Sequence, residues 1–131
     1  MTPALGPVGL EICYDLRFPE MHRLLVDKGA KVLFFPAAFT VPTGRDHWYT
    51  LLRATAIQYQ VYVLAPAQIG EHYPPSSTGD YTGRTSWGES LAFDPWGRLL
   101  GRLPSVDDTP SSAGEEEGEF FIVELDMSLV E

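Results

Sequence analysis

The single cysteine of the chain, Cys13, has the surroundings of a reactive thiol. It follows the apolar run from Val8 to Ile12 and precedes a short segment that ends in a proline. A lone cysteine after an apolar strand is usually a buried core thiol. Its neighbours favour another interpretation, because charged residues crowd around it: Glu11, Asp15, Arg17 and Glu20. A thiolate displayed between a strand and a helix is a nucleophile that attacks electrophilic carbon.

Nucleophilic chemistry at Cys13 needs a base within hydrogen-bond reach of the sulfur. Glu11 and Glu20 are the acidic candidates in the nearby sequence, and we expect neither to act as the base. Arg17 and Glu20 are instead predicted to form an ion pair that fixes the turn after the thiol.

Two other roles for the thiol are disfavoured by the rest of the sequence. A cysteine–histidine protease site is not indicated, since His22 and His47 are expected on helices or helix ends and His72 in a loop. We interpret all three as surface or helix-end histidines. A redox sensor is disfavoured because the chain has no second cysteine to resolve an oxidised thiol.

The elements that must position Cys13 alternate between strands and helices. Pro19 suits the first position of a helix that runs to Lys28, and Gly29 suits its C-terminal end. The apolar run from Lys31 to Phe35 then predicts a buried strand. A strand, a turn, a helix and a second strand are typical of a βαβ crossover in an α/β protein.

The remaining chain continues this pattern and then changes. Asp46 is predicted to cap a helix that carries an apolar stripe from Trp48 to Tyr59. The later elements are predicted as a strand at Val61 to Ala65, a hairpin of Ser90 to Phe93 with Arg98 to Leu103 around the turn Asp94 to Gly97, and a closing strand at Phe120 to Leu125. Polar loops are predicted at about residues 70–85 and 104–119, within one domain spanning residues 1–131.

Composition excludes several classes of function. The chain has 131 residues, a net charge of −9 and a pI near 4.6, so we expect no nucleic-acid or anionic-membrane partner. One cysteine allows no internal disulfide, which favours a reducing, cytoplasmic location. The acidic run Glu115 to Glu117 is interpreted as a solvated loop, and no motif for a metal or an organic cofactor is present.

The residues around the thiol form a long motif that resembles the cysteine motif of the nitrilase superfamily of carbon–nitrogen hydrolases. The matching residues are Gly9 to Glu20, Phe35 to Phe39, Thr43 and Gly44, His47 and Trp48, Leu52 to Ala54, Ala56 and Ile57, Gln60 to Val63, and Asp94 to Gly97. The sequence is most similar to the Nit branch, whose members are amidases that act on deaminated glutathione or on ω-amides of 2-oxo acids.

This resemblance implies an αββα sandwich and a Glu–Lys–Cys triad that hydrolyses a small-molecule amide without metal or cofactor. It implies that Cys13 is the nucleophile and that the backbone N–H of Tyr14 lies near the developing oxyanion. It also implies a substrate pocket near Ala38 and Phe39. The residues implied to shape the turn are Asp15, Arg17 and Glu20.

The triad Glu and Lys of the family precede the cysteine motif, whereas only twelve residues precede Cys13 here and none is a lysine. We therefore expect the C-terminal half of the sandwich, inactive as an amidase by itself and associating as a homo-oligomer or with the missing half. The alternative is a non-catalytic interaction or dimerisation module. Three departures leave the exact amide open: Tyr49, Gln58 to Gln60, and Glu89.

Overall fold

One five-stranded sheet organises the chain. The structure, a computed structural model, describes residues 5–72, 83–108 and 119–130. The strands are β1 (Val8–Leu10), β2 (Val32–Phe34), β3 (Tyr62–Ala65), β4 (Ile69–Glu71), β5 (Thr85–Trp87), β6 (Leu91–Phe93) and β7 (Leu99–Arg102). The helices are α1 (Pro19–Asp27), α2 (Val41–Thr43) and α3 (Tyr49–Tyr59), with 3₁₀ turns at Cys13–Arg17 and Met127–Val130 and a π-helical turn at Gly44–Trp48.

The first three strands are parallel, and this places the ends of β1 and β2 at the same edge of the sheet. The strand order is β1-β2-β3-β6-β7, in which β6 runs antiparallel to β3 and β7 runs antiparallel to β6. Val8 pairs with Val32, and Val32 pairs with Tyr62. Parallel neighbours need a crossover, which α1 provides between β1 and β2 and α3 provides between β2 and β3. The predicted α/β class is confirmed.

Helices α1 and α3 cover one face of the sheet and close the main core. Its fully buried members include Trp48, Phe35 and Leu52, which lie between the helices and the strands. Val32 and Tyr62 point to the opposite face, where Val130 of the C-terminal 3₁₀ turn packs on them. The irregular segment that leads into this 3₁₀ turn covers that face of the sheet. The helices, the sheet and this segment thus form part of a layered sandwich.

The segment before α3 differs from the prediction, because Asp46 does not cap a helix. It lies inside the π-helical turn Gly44–Trp48, which continues directly from α2 into α3. The turn is packed too closely for a side chain at Gly44, since a Cβ there would collide with the indole of Trp87. The helical segment thus begins at Val41, earlier than a cap at Asp46 would indicate, and Gly44 packs against Trp87 within it.

The predicted hairpin is present, and Asp94 explains its turn. The Asp94 carboxylate accepts hydrogen bonds from the backbone N–H of Trp96 at 2.9 Å and of Arg98 at 2.8 Å. Gly97 has a φ of 77°, a conformation that favours glycine. The strands on either side, β6 and β7, pair with each other as expected.

The predicted loops and closing strand need correction. The strands β4 and β5 pair at the two ends of the first loop, where Glu71 lies opposite Thr85. The remaining parts of both loops, residues 73–82 and 109–118, lie outside the described residues. Phe120 to Leu125 is not a strand: Phe121 packs on Gly101 of β7, while Phe120 and Ile122 are 81% and 85% exposed. The segment contacts the sheet through a ring instead of a backbone ladder.

None of the helices in the described part of the chain combines the length and apolarity needed to cross a bilayer.

Candidate functional site

Cys13 lies just beyond β1 in a strained backbone conformation. Its φ of 50° falls in the left-handed region, which residues other than glycine seldom adopt. The Cys13 N–H donates to the carbonyl of Pro36 at 2.9 Å, so the turn is fastened to the end of β2. The thiol itself is partly exposed. Strain of this kind persists only where the surroundings enforce it, and it is concentrated at functional sites.

Asp15 closes the turn around the thiol. Its carboxylate accepts the N–H of Ile12 at 2.9 Å, and its own N–H donates to the carbonyl of Ile12 at 2.9 Å. The carbonyl of Asp15 in turn accepts the N–H of Phe18, just before α1 begins at Pro19. The chain before and after Cys13 is therefore tied together by one residue.

The backbone N–H of Tyr14 is available for a ligand. The first N–H groups of a helical turn have no partner within that turn. Within the described residues the structure gives the Tyr14 N–H no acceptor. The Tyr14 side chain is largely exposed. A free N–H directly after the thiol is a donor for an oxygen atom that develops negative charge.

Arg17 makes different contacts from those predicted. Its guanidinium lies over the rings of Tyr14 and Phe39, 5.6 Å from each centroid, and donates to Nδ1 of His47 at 3.1 Å. Glu20 is exposed on α1 and forms no ion pair with Arg17, so the predicted pair is wrong. The guanidinium is therefore held by two aromatic rings and a histidine.

Ala38 and Phe39 follow β2, at the same edge of the sheet as Cys13. Phe39 is buried, with its ring centroid 4.7 Å from that of Trp48. Ala38 is partly exposed, and its carbonyl accepts a hydrogen bond from Arg84 at 2.6 Å. Arg17 joins this segment to the thiol turn through its contact with Phe39.

A buried hydrogen-bonded pair of Glu11 and His22, not predicted from the sequence, lies beneath the turn. Nδ1 of His22 is 2.8 Å from Oε2 of Glu11, and the two residues are 2% and 1% exposed. The prediction of a surface or helix-end histidine is wrong for His22, because it lies on the inner face of α1. An ionisable residue at an otherwise apolar helix position is the only signal in the sequence that could have indicated it.

The two lysines of the chain lie at the opposite edge of the sheet from Cys13. Lys28 follows the C-terminal end of α1, and Lys31 immediately precedes β2. Since β1 and β2 are parallel, the start of β2 is remote from the end of β1. Neither ammonium group can therefore assist the thiol in this fold.

The pKa values that are clearly displaced belong to groups away from the thiol. Hydrogen bonds from the backbone and hydroxyl of Ser105, with a further bond from Arg102, lower the pKa of Asp108 to about 2. The Arg45 guanidinium lowers the pKa of Asp107. The described residues contain no group of three or more His, Cys, Asp or Glu side chains that could hold a metal ion.

Comparison with known proteins places these features in a family. The carbon–nitrogen hydrolase family model matches residues 1–131. A deaminated glutathione amidase of Synechocystis sp. is 46% identical over 117 residues, which are 89% of this chain and 36% of that protein. The chain therefore spans about a third of the length of this relative.

Solved structures agree with the sequence comparison. The Caenorhabditis elegans NitFhit protein superposes with a TM-score of 0.65 at 48% identity, over 73% of this chain and 21% of that one. An amidase from Nesterenkonia sp. AN1 superposes with a TM-score of 0.59 at 28% identity, over 74% of this chain and 33% of that one. The latter structure carries the acetamide moiety of fluoroacetamide bound covalently at its active-site cysteine.

Proposed function

Because the chain belongs to the carbon–nitrogen hydrolase family, we propose that it carries the nucleophile of an amidase and that this nucleophile is Cys13. The observation that carries the proposal is the backbone at the thiol. Cys13 is held at a φ of 50° at the end of β1, and the next N–H, that of Tyr14, has no acceptor within the described residues. A strained nucleophile beside a free N–H is the arrangement that acyl transfer requires.

In the proposed reaction the Cys13 thiolate attacks the amide carbon and forms a carbon–sulfur bond. The carbonyl oxygen becomes an oxyanion that the Tyr14 N–H stabilises, and loss of such a donor costs roughly 10²–10³ in rate. The carbon–nitrogen bond then breaks, and the amine leaves with the proton that the base took from the thiol. Water hydrolyses the remaining thioester to release the acid and the thiol. A free thiolate favours a reducing compartment, which we propose to be the cytoplasm.

We propose that the base and the ammonium group of this reaction come from outside the part of the chain that the structure describes. Glu11 is paired with His22, the Asp15 carboxylate accepts a backbone N–H, and both lysines lie at the other edge of the sheet. Members of a catalytic triad act as a unit, so the nucleophile without its partners gives little of the full rate. We propose that the chain alone has negligible amidase activity.

The substrate is proposed to be a linear amide that bears a carboxylate. Arg17 lies on the thiol turn and its guanidinium contacts two rings and a histidine, with no carboxylate partner in the described part of the chain. A guanidinium held flat against aromatic rings keeps donors free for a carboxylate. The name of the Synechocystis relative, deaminated glutathione amidase, fits a substrate of this class.

A non-catalytic interaction module is the second candidate, and the open edge of the sheet favours it. Leu10 on β1 is 74% exposed and Ile12 just beyond it is 66% exposed, and β1 is one of the two outer strands of the sheet. An exposed apolar strand edge favours association with another polypeptide. This candidate predicts binding without turnover.

Amide turnover distinguishes the two candidates. The substrate is an ω-amide of a 2-oxo acid, and released ammonia is measured for the chain alone and for the chain joined behind the amino-terminal part of the Synechocystis relative. We expect turnover in the joined protein alone, and we expect Cys13→Ala and Cys13→Ser to abolish it. Turnover that persists in Cys13→Ala refutes the assignment of the nucleophile, and no turnover in any form favours the interaction module.

A matched pair of arginine variants tests the substrate class in the same joined protein. Arg17→Met is expected to raise KM about tenfold or more, because a charge-assisted hydrogen bond to a carboxylate is lost. Arg23→Met removes the same charge from the exposed Arg23–Asp27 pair on α1 and should leave KM unchanged. Equal KM values for the two variants would contradict the proposed role of Arg17.

A further inference from the structure

The buried pair of Glu11 and His22 connects the two sides of the thiol turn. Glu11 precedes Cys13 by two residues, and its Oε2 is 2.8 Å from Nδ1 of His22. Leu16 follows Cys13 by three residues, and its carbonyl oxygen is 3.4 Å from Nε2 of the same ring. One imidazole on α1 thus contacts the chain both before and after the nucleophile.

The two ring nitrogens of His22 each face an oxygen atom. Nδ1 faces a carboxyl oxygen of Glu11, and Nε2 faces the carbonyl oxygen of Leu16. With one proton on Nε2 and one proton between Nδ1 and the carboxyl group, both contacts are hydrogen bonds. The imidazole therefore supplies a hydrogen-bond partner that the fully buried Glu11 carboxyl group needs.

In the described part of the chain, uncharged groups surround the rest of the His22 ring. Phe35, just after β2, and Tyr59 of α3 pack edge-on against the ring, with centroids at 5.4 Å and 5.6 Å. The Tyr59 hydroxyl donates to the carbonyl of Pro19. A cleft of about 320 Å³ between the thiol turn, α1 and α3 borders the ring, and its lining includes Arg17, which is bound to His47.

The second oxygen of Glu11, Oε1, is buried and has no hydrogen-bond partner among the described residues. A buried pair of ionisable groups with an unsatisfied oxygen is a poor source of stability, because desolvation of the groups offsets much of their attraction. Its position supports another role, since the pair connects the two ends of a turn whose central residue is strained.

We propose that Glu11 and His22 are a hydrogen-bonded positioning pair that holds the turn around Cys13 in its left-handed conformation. Neither residue takes part in the chemistry. They act through Leu16 and Ile12 on the orientation of the thiol and of the Tyr14 N–H. Both residues of the pair lie in this chain, and their positioning role does not depend on which amide is cleaved.

The positioning role is tested by the rate at which iodoacetamide alkylates Cys13. Glu11→Gln and His22→Gln are compared with Val63→Ala, which opens a core cavity in β3 away from the turn and destabilises the fold without touching it. We expect the two pair variants to slow alkylation about tenfold at about pH 7, since a relaxed turn loses the activating N–H environment. Val63→Ala should leave the rate within about twofold of the parent, as the turn is intact. A rate that is unchanged or higher in the pair variants, or equally slow in all three, overturns the positioning role.

Discussion

Replacing Cys13 by glycine is predicted to stabilise the fold relative to replacing it by alanine. Both substitutions remove the sulfur, and they differ only in the Cβ atom. At a φ of 50° that atom crowds the following carbonyl, whereas glycine adopts this conformation without crowding. The comparison therefore isolates the backbone strain at the nucleophile.

The magnitude follows from two opposing contributions. A residue with a Cβ in the left-handed region costs roughly 1–2 kcal/mol. Glycine loses more backbone entropy on folding, which costs roughly 0.5–1 kcal/mol relative to alanine. Cys13→Gly is therefore expected to have a free energy of unfolding about 0.5–1 kcal/mol above that of Cys13→Ala.

Urea unfolding of the two variants, followed by circular dichroism, measures this difference. Thr50 provides the matched control, because it is exposed near the start of α3 in ordinary helical backbone. There the order reverses, and Thr50→Gly is expected to be about 1 kcal/mol less stable than Thr50→Ala. If Cys13→Gly is also less stable than Cys13→Ala, the thiol is not held in a strained conformation and the basis of the site assignment is refuted.

Three further predictions concern the rest of the fold. Asp108→Asn should lower the free energy of unfolding by under about 1 kcal/mol at neutral pH, because its side chain is 42% exposed. The folded pKa of Asp108 is about 2, below the ordinary value of 3.8, so the difference in the free energy of unfolding between parent and variant should vanish as the pH falls from about 4 to about 2. A difference that stays constant in acid unfolding curves would contradict this. Gly44→Ala should lower the melting temperature, because the new Cβ collides with Trp87 at an overpacking cost of about 1–3 kcal/mol. An unchanged melting temperature would show that the π-helical turn can move away from Trp87. The isolated chain should self-associate through its open β1 edge, and the double variant Leu10→Lys with Ile12→Lys should reduce this association in light scattering. A monodisperse parent chain with sharp unfolding would contradict this and would show that the chain folds as a stable monomer.

The sequence was informative where a local signal determines the structure. Pro19 marks the first residue of α1, and the observed helix ends at Asp27, close to the predicted glycine stop. The Asp94 turn and the strands around it were also predictable, because an Asp carboxylate and a glycine at fixed offsets specify that turn. The family resemblance, carried by the residues around Cys13, is confirmed by the family match over residues 1–131.

The errors lie where distant segments decide the structure. Phe120 to Leu125 has strand-like composition, but the backbone has no ladder there, and Phe121 contacts Gly101 through its ring. The pairing of β4 with β5 depends on residues separated by a long polar segment, so no local pattern indicates it.

The predicted side-chain contacts at the site were wrong for a related reason. Helix periodicity gives the spacing of residues on α1, but the fold decides which neighbour each of them meets. Arg17 and Glu20 are three residues apart and suit a local ion pair, yet Arg17 binds His47 instead. His22 is buried against Glu11 because α1 packs on the sheet with that face inward.

The most direct measurement of the central claim is the mass of the chain during turnover. The chain joined behind the amino-terminal part of the Synechocystis relative is quenched with acid in the presence of excess amide, and its peptides are examined by mass spectrometry. If Cys13 is the nucleophile, the peptide that contains it carries the acyl group of the amide as a thioester, and Cys13→Ala carries none. An acyl group on any other residue, or undiminished amide hydrolysis in Cys13→Ala, would contradict the claim.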